Sequence, residues 1–105
     1  MRQPLALLLA FWLAAPAVAQ DRAEWTPPAR YDHAYSGRLI LHQVPQRRVV
    51  AMCADLIGAR GIEISRTQRG CAWPFYGICI VVTIDRPYRG TTPAAVLRHE
   101  LGHCN

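Results

Sequence analysis

Four cysteines in 105 residues, Cys53, Cys71, Cys79 and Cys104, limit the fold more than any other feature of this chain. One domain is the ceiling at this length, and a core that small draws on disulfides, a metal or a partner for stability. The first twenty residues bear on which of these applies. "MRQPLALLLAFWLAAPAVAQ" opens with one positive charge, Arg2, continues with an apolar run from Leu5 to Ala15, and closes on Ala17-Val18-Ala19. That order points to a secretory signal peptide over residues 1–19, cut after Ala19 by its A-x-A site, rather than to a membrane anchor. The cysteines of an exported chain are expected as disulfides. Four cysteines allow three pairings. Cys71–Cys79, closing a short loop, with Cys53–Cys104 is the favoured set. No C-x-x-C pair is present, which argues against a cysteine-built zinc site.

Charge adds less. All twelve basic residues are Arg, set against seven acids, for a net charge of +5. The arginines are scattered and not interleaved with aromatics, so no nucleic-acid partner is expected. Attraction to anionic envelope polymers fits the charge and the compartment.

Hydrophobic periodicity gives the elements. Residues 20–30, with Pro27-Pro28, read as an extended, poorly ordered lead-in. Arg38–Val44 reads as a strand after a Ser36-Gly37 turn. Pro45 suits the first position of a helix whose apolar face carries Val49, Cys53 and Leu56, with Gly58 as its C-cap. "GIEIS", residues 61–65, alternates like a short strand. Residues 71–85 read as two strands around a turn near Pro74–Gly77. The β-branched run Ile78–Ile84 is expected at the centre of the sheet. Thr92 and Pro93 then start a last helix as N-cap and N1. The result is an α+β fold: a sheet of three to four strands, two helices and a disulfide staple, over residues 31–105. Trp73, Phe75 and Tyr76 cluster at the hairpin turn and read as packing and turn residues before they read as a substrate platform.

The chemistry lies in the last helix, "VLRHELGHCN". His99, Glu100 and His103 fit H-E-x-x-H. Residues four apart lie about 40° apart around a helix, so the two imidazoles can face one metal ion. Leu97, Leu101 and Cys104 are expected on the opposite, packing face. Glu100 is offset from the pair and suited to a metal-bound water, whose proton a carboxylate can take. Gly102 leaves the backbone open to a strand or a substrate.

His99-Glu100-Leu101-Gly102-His103 resembles the active-site helix of zincin-type metallopeptidases, especially small exported bacterial proteins. The resemblance covers residues 93–105 and extends loosely to "GCAWPFYGICIVV". It implies Zn2+ held by His99 and His103, Glu100 as general base, a peptide or protein substrate, and a secreted or periplasmic location. Zincins take a third ligand from beyond this helix. Here it is expected either from residues past a truncation after Asn105, the preferred reading, or from His33, His42, Glu63 or Asp85. The alternative is a non-catalytic, disulfide-stabilised envelope protein with a degenerate metal site.

Overall fold

A computed structural model describes residues 25–105; the signal-peptide reading of residues 1–19 and the start of the lead-in fall outside them. The elements are β1 (Arg38–Val44), α1 (Gln46–Leu56), β2 (Gly70–Phe75), β3 (Ile78–Ile84) and α2 (Pro93–Cys104). One-turn 3-10 helices lie at Ala29–Tyr31 and Gly58–Arg60. The fold is α+β, with a three-stranded mixed sheet and two disulfides.

The apolar strand β3 takes the middle of the order β1-β3-β2, as its β-branched run predicts. It pairs in parallel with β1 and antiparallel with β2; α1 and then β2 lie between β1 and β3 along the chain. The β2–β3 hairpin turns on Tyr76 (φ 45°) and Gly77 (φ 77°). Two successive positive φ angles make a type I′ turn, whose twist matches the strands. Pro74 sits inside β2 opposite Cys79. An edge strand tolerates that, because no neighbour asks for its missing N–H.

Alternation along β3 sorts the two helices onto opposite faces. Cys71 pairs with Val82 in the register and is bonded to Cys53 of α1. Val82, Ile84, Val49, Cys53 and Ile57 fill the core on that side. Cys79, three residues from Val82, points the other way and is bonded to Cys104 of α2. This parity corrects the expected pairing. Cys71 and Cys79 stand on opposite faces of the sheet and cannot meet, so the disulfides are Cys53–Cys71 and Cys79–Cys104.

Two local expectations also shift. Gly61–Ser65 is not a strand: Gly61 is left-handed (φ 85°), Ile64 packs on the core and Ile62 is exposed. Alternation here reflects one side chain turned inward, without a strand partner. Pro45 is the N-cap of α1 rather than its first residue, and α1 closes at Ile57 before the 3-10 turn at Gly58. At α2 the Thr92 hydroxyl accepts from the Ala95 N–H at 3.1 Å and Pro93 holds N1, as the sequence predicts.

The described part of the lead-in, residues 25–30, lies against the domain. Pro27 is buried, and Ala29–Tyr31 packs near α2. Arg98 of α2 forms a two-pronged ion pair with Asp32, its Nε donating at 2.7 Å. The Asn105 amide donates to the carbonyls of Tyr31 (3.0 Å) and His33 (2.7 Å). The C-terminal half of α2 is therefore pinned at three points: the Cys104 disulfide, the Arg98 ion pair and the Asn105 amide.

Candidate functional site

The packing face of α2 is not the expected one. Val96 is fully buried and Glu100 is 5% exposed, whereas Leu97 and Leu101 are half-exposed above the Asp32–Ala34 segment. The cause is Gly70. A Cβ there would lie 2.6 Å from Val96 Cγ1 and 3.2 Å from Glu100 Cγ. A strand residue without a side chain lets α2 approach along the Val96–Glu100 line, which brings the carboxylate of the motif inside.

Glu100 is thus a buried acid. Desolvation raises its pKa from 4.5 to about 8, so in this environment the neutral form prevails at pH 7. His99 moves in the opposite direction. Burial lowers its pKa first and the neighbouring His103 adds to this, against a hydrogen bond to the Trp25 backbone. An imidazole held neutral is the form that binds metal or accepts a proton. His103 is exposed, its ring centroid 5.0 Å from that of His99.

Two clefts meet at His99. The larger, about 550 Å³, runs past His99 and His103 beneath Thr26, Pro27, Pro28 and Tyr31. The smaller, about 230 Å³, has His99 and Glu100 on one side and Ser65, Thr67, Gln68 and Arg69 on the other. Trp25 stands edge-on to His99 at 5.1 Å, between the two. The open backbone foreseen at Gly102 is occupied by the chain itself: a Cβ there would lie 2.8 Å from Pro27 Cβ. Sequence reasoning missed Trp25, Pro27, Arg69 and Gly70. Only the glycine carried a signal, as a residue without a side chain at the start of a strand.

The structure brings His99, Glu100 and His103 together on one helix and leaves the other candidates elsewhere. His33 is exposed and its Nδ1 bonds to the Ala34 carbonyl. His42 lines a hollow with Met52 and Asp55 on the α1 face. Glu63 is exposed, and Asp85 is exposed and paired with Arg86 at 2.9 Å. Cys104 is committed to its disulfide. Trp73 is half-buried under the Arg60 guanidinium, 3.9 Å from its ring centroid, while Phe75 and Tyr76 are 56% and 92% exposed.

No known protein family, curated protein or solved structure matches the chain. Among the described residues, no group of three or more His, Cys, Asp or Glu side chains is placed to hold a metal ion. The resemblance to zincin metallopeptidases is corrected on that ground. The motif is present as letters on a helix, but the ligand set that defines such a centre is not assembled among these residues.

Among the described residues no helix is long and apolar enough to cross a membrane. The two disulfides point to an oxidising compartment, hence to export.

Proposed function

We propose that the protein is a secreted or periplasmic zinc-dependent hydrolase acting on peptide-like substrates, with Glu100 as its proton-transferring group. The observation that carries this reading is the buried Glu100 carboxyl lining one cleft with the neutral imidazole of His99. Two imidazoles on one helix face suit two corners of a zinc site, so His99 and His103 would hold the metal together with a ligand from outside the described residues. Bound zinc would supply Lewis-acid polarisation of a carbonyl and of water. A cation bound beside it would favour the ionised form of Glu100, which would take the proton of the attacking water and return it to the leaving amine. Trp25, edge-on to His99 at 5.1 Å, shields one side of that imidazole from water.

The test combines metal content with turnover. Zinc uptake is measured by elemental analysis, and hydrolysis is followed on a fluorescent casein substrate before and after chelation. Glu100→Gln is expected to keep its zinc and lose about 10²-fold or more in rate. A protein that takes up no zinc at micromolar concentration, or a Glu100→Gln variant that hydrolyses at the wild-type rate, refutes the reading.

One observation favours the alternative. The chain's own Pro27 and Trp25 occupy the approach to Gly102 and His99, which suits a non-catalytic, disulfide-stabilised envelope protein drawn to anionic polymers by its net positive charge. Undiminished polymer binding and stability in His103→Ala, with no hydrolysis in either protein, would decide for it.

A further inference from the structure

Arg69 stands out in the smaller cleft. It enters β2 just ahead of Gly70, and its own carbonyl accepts from the Ile84 N–H at 3.0 Å, which fixes its backbone. Its guanidinium is fixed as well. Nε donates to the Tyr88 carbonyl at 3.3 Å, and a terminal nitrogen donates to the Arg89 carbonyl at 3.4 Å. Its Cζ lies 5.4 Å from the Trp25 ring centroid and 5.7 Å from that of Tyr88. Yet no carboxylate pairs with it among the described residues: their ion pairs are Arg86 with Asp85 and Arg98 with Asp32. Glu100, across the same cleft, does not neutralise it.

An arginine oriented by main-chain carbonyls and flanked by aromatic rings has lost its rotamer freedom in advance. Its remaining donors match the two oxygens of a carboxylate in a planar fork. Ser65, Thr67 and Gln68 supply neutral polar groups on the same wall. We propose that Arg69 is the carboxylate-recognition residue of this cleft, so that the protein selects substrates presenting a free carboxylate next to the bond facing His99 and Glu100. The proposal rests on reading the cleft as the substrate site. The carboxylate has two possible sources, a peptide C-terminus or an acidic side chain, and the chemistry that binds it is the same.

The test reads binding separately from turnover. The folded, disulfide-intact protein, metal-free and zinc-supplemented, is titrated with three probes by calorimetry or amide chemical shifts. These are N-acetyl-alanyl-alanine, its C-terminal amide, and N-acetyl-alanyl-glutamic acid amidated at the C-terminus with its side chain free. At least one acid is expected to bind about tenfold or more tightly than the uncharged amide. The amidated glutamyl probe assigns the preference to a side chain, and the dialanine acid assigns it to a chain end. Arg69→Ala is expected to erase the preference and Arg69→Lys to retain part of it, since a point charge remains without the fork. Near-UV circular dichroism of both variants shows whether the fold is kept; if Arg69→Ala is unfolded, Arg69→Gln takes its place. Equal binding of acids and amide, no binding of any probe, or a preference that survives the loss of Arg69 overturns the proposal. A preference that Arg69→Ala removes in a protein that hydrolyses nothing supports the proposal and refutes the hydrolase reading alone.

Discussion

The sharpest consequence of the buried Glu100 concerns stability. In the metal-free protein its pKa stands at about 8 in the folded state against 4.5 for an exposed glutamate. Between those values the native state keeps a proton that the unfolded chain has released. Unfolding then releases a proton, and stability falls as pH rises across this window, by about 1.4 kcal/mol per unit. At pH 7, about 2.5 units above the lower value, the carboxyl lowers stability by about 3 kcal/mol relative to acidic conditions. Glu100→Gln removes the ionisation and with it the slope. Its absolute stability is less informative, because a buried amide without partners costs about 1–3 kcal/mol of its own. The decisive quantity is the difference between the two proteins as a function of pH, in which contributions common to both, such as that of His99, largely cancel. Urea unfolding followed by circular dichroism, at intervals from pH 5 to 8 with a chelator present and disulfides intact, measures it. The variant should gain on the wild type by about 2–3 kcal/mol from pH 5 to 7 and little beyond pH 8. Parallel curves would show that Glu100 is ionised in the native state and would undo the argument from burial.

Two further outcomes follow from the glycines. Gly70→Ala sets a Cβ 2.8 Å from the immobile Val82 carbonyl and 2.6 Å from Val96 Cγ1. It should cost about 1–3 kcal/mol in a urea titration, and a loss below about 0.5 kcal/mol would mean that α2 does not sit this close to β2. Gly102→Ala gains up to about 1 kcal/mol of helix propensity but meets Pro27. Amide exchange at Tyr31 and Asp32, whose N–H groups bond to the Pro28 and Ala29 carbonyls, should therefore speed up while β3 stays protected; unchanged exchange would contradict the packing of Pro27 on α2.

What the sequence made legible was local. The capping of α2 by Thr92 and Pro93 and the apolar face of α1 rest on residues close together in the chain, and the central place of Ile78–Ile84 shows in its own β-branched, apolar composition. What it hid was tertiary. Helical arithmetic on hydrophobicity assigned Leu97 and Leu101 to the packing face, because it weighs side chains on one helix and knows nothing of the surface opposite. That surface carries Gly70, whose missing side chain favours a close approach at Val96 and Glu100 over a leucine interface. The disulfide pairing was settled by register parity, which a hairpin's cysteine spacing cannot reveal until the turn is placed at Tyr76-Gly77. The site was half legible: the relation of His99 to His103 is a helix property, whereas Arg69 and Trp25 arrive from distant parts of the chain.

The order of the cysteines along the chain has a consequence for biogenesis. Cys53–Cys71 and Cys79–Cys104 close loops that lie side by side, neither nested nor interlaced. A chain crossing a membrane from its N-terminus delivers Cys71 to Cys53 before either later cysteine has emerged. The first thiol each newcomer meets unpaired is then its native partner, and α1 is tethered to β2 before the hairpin is complete. Oxidation in order of emergence yields the native bridges without reshuffling, and the second closure, at the residue beside His103, locks α2 last.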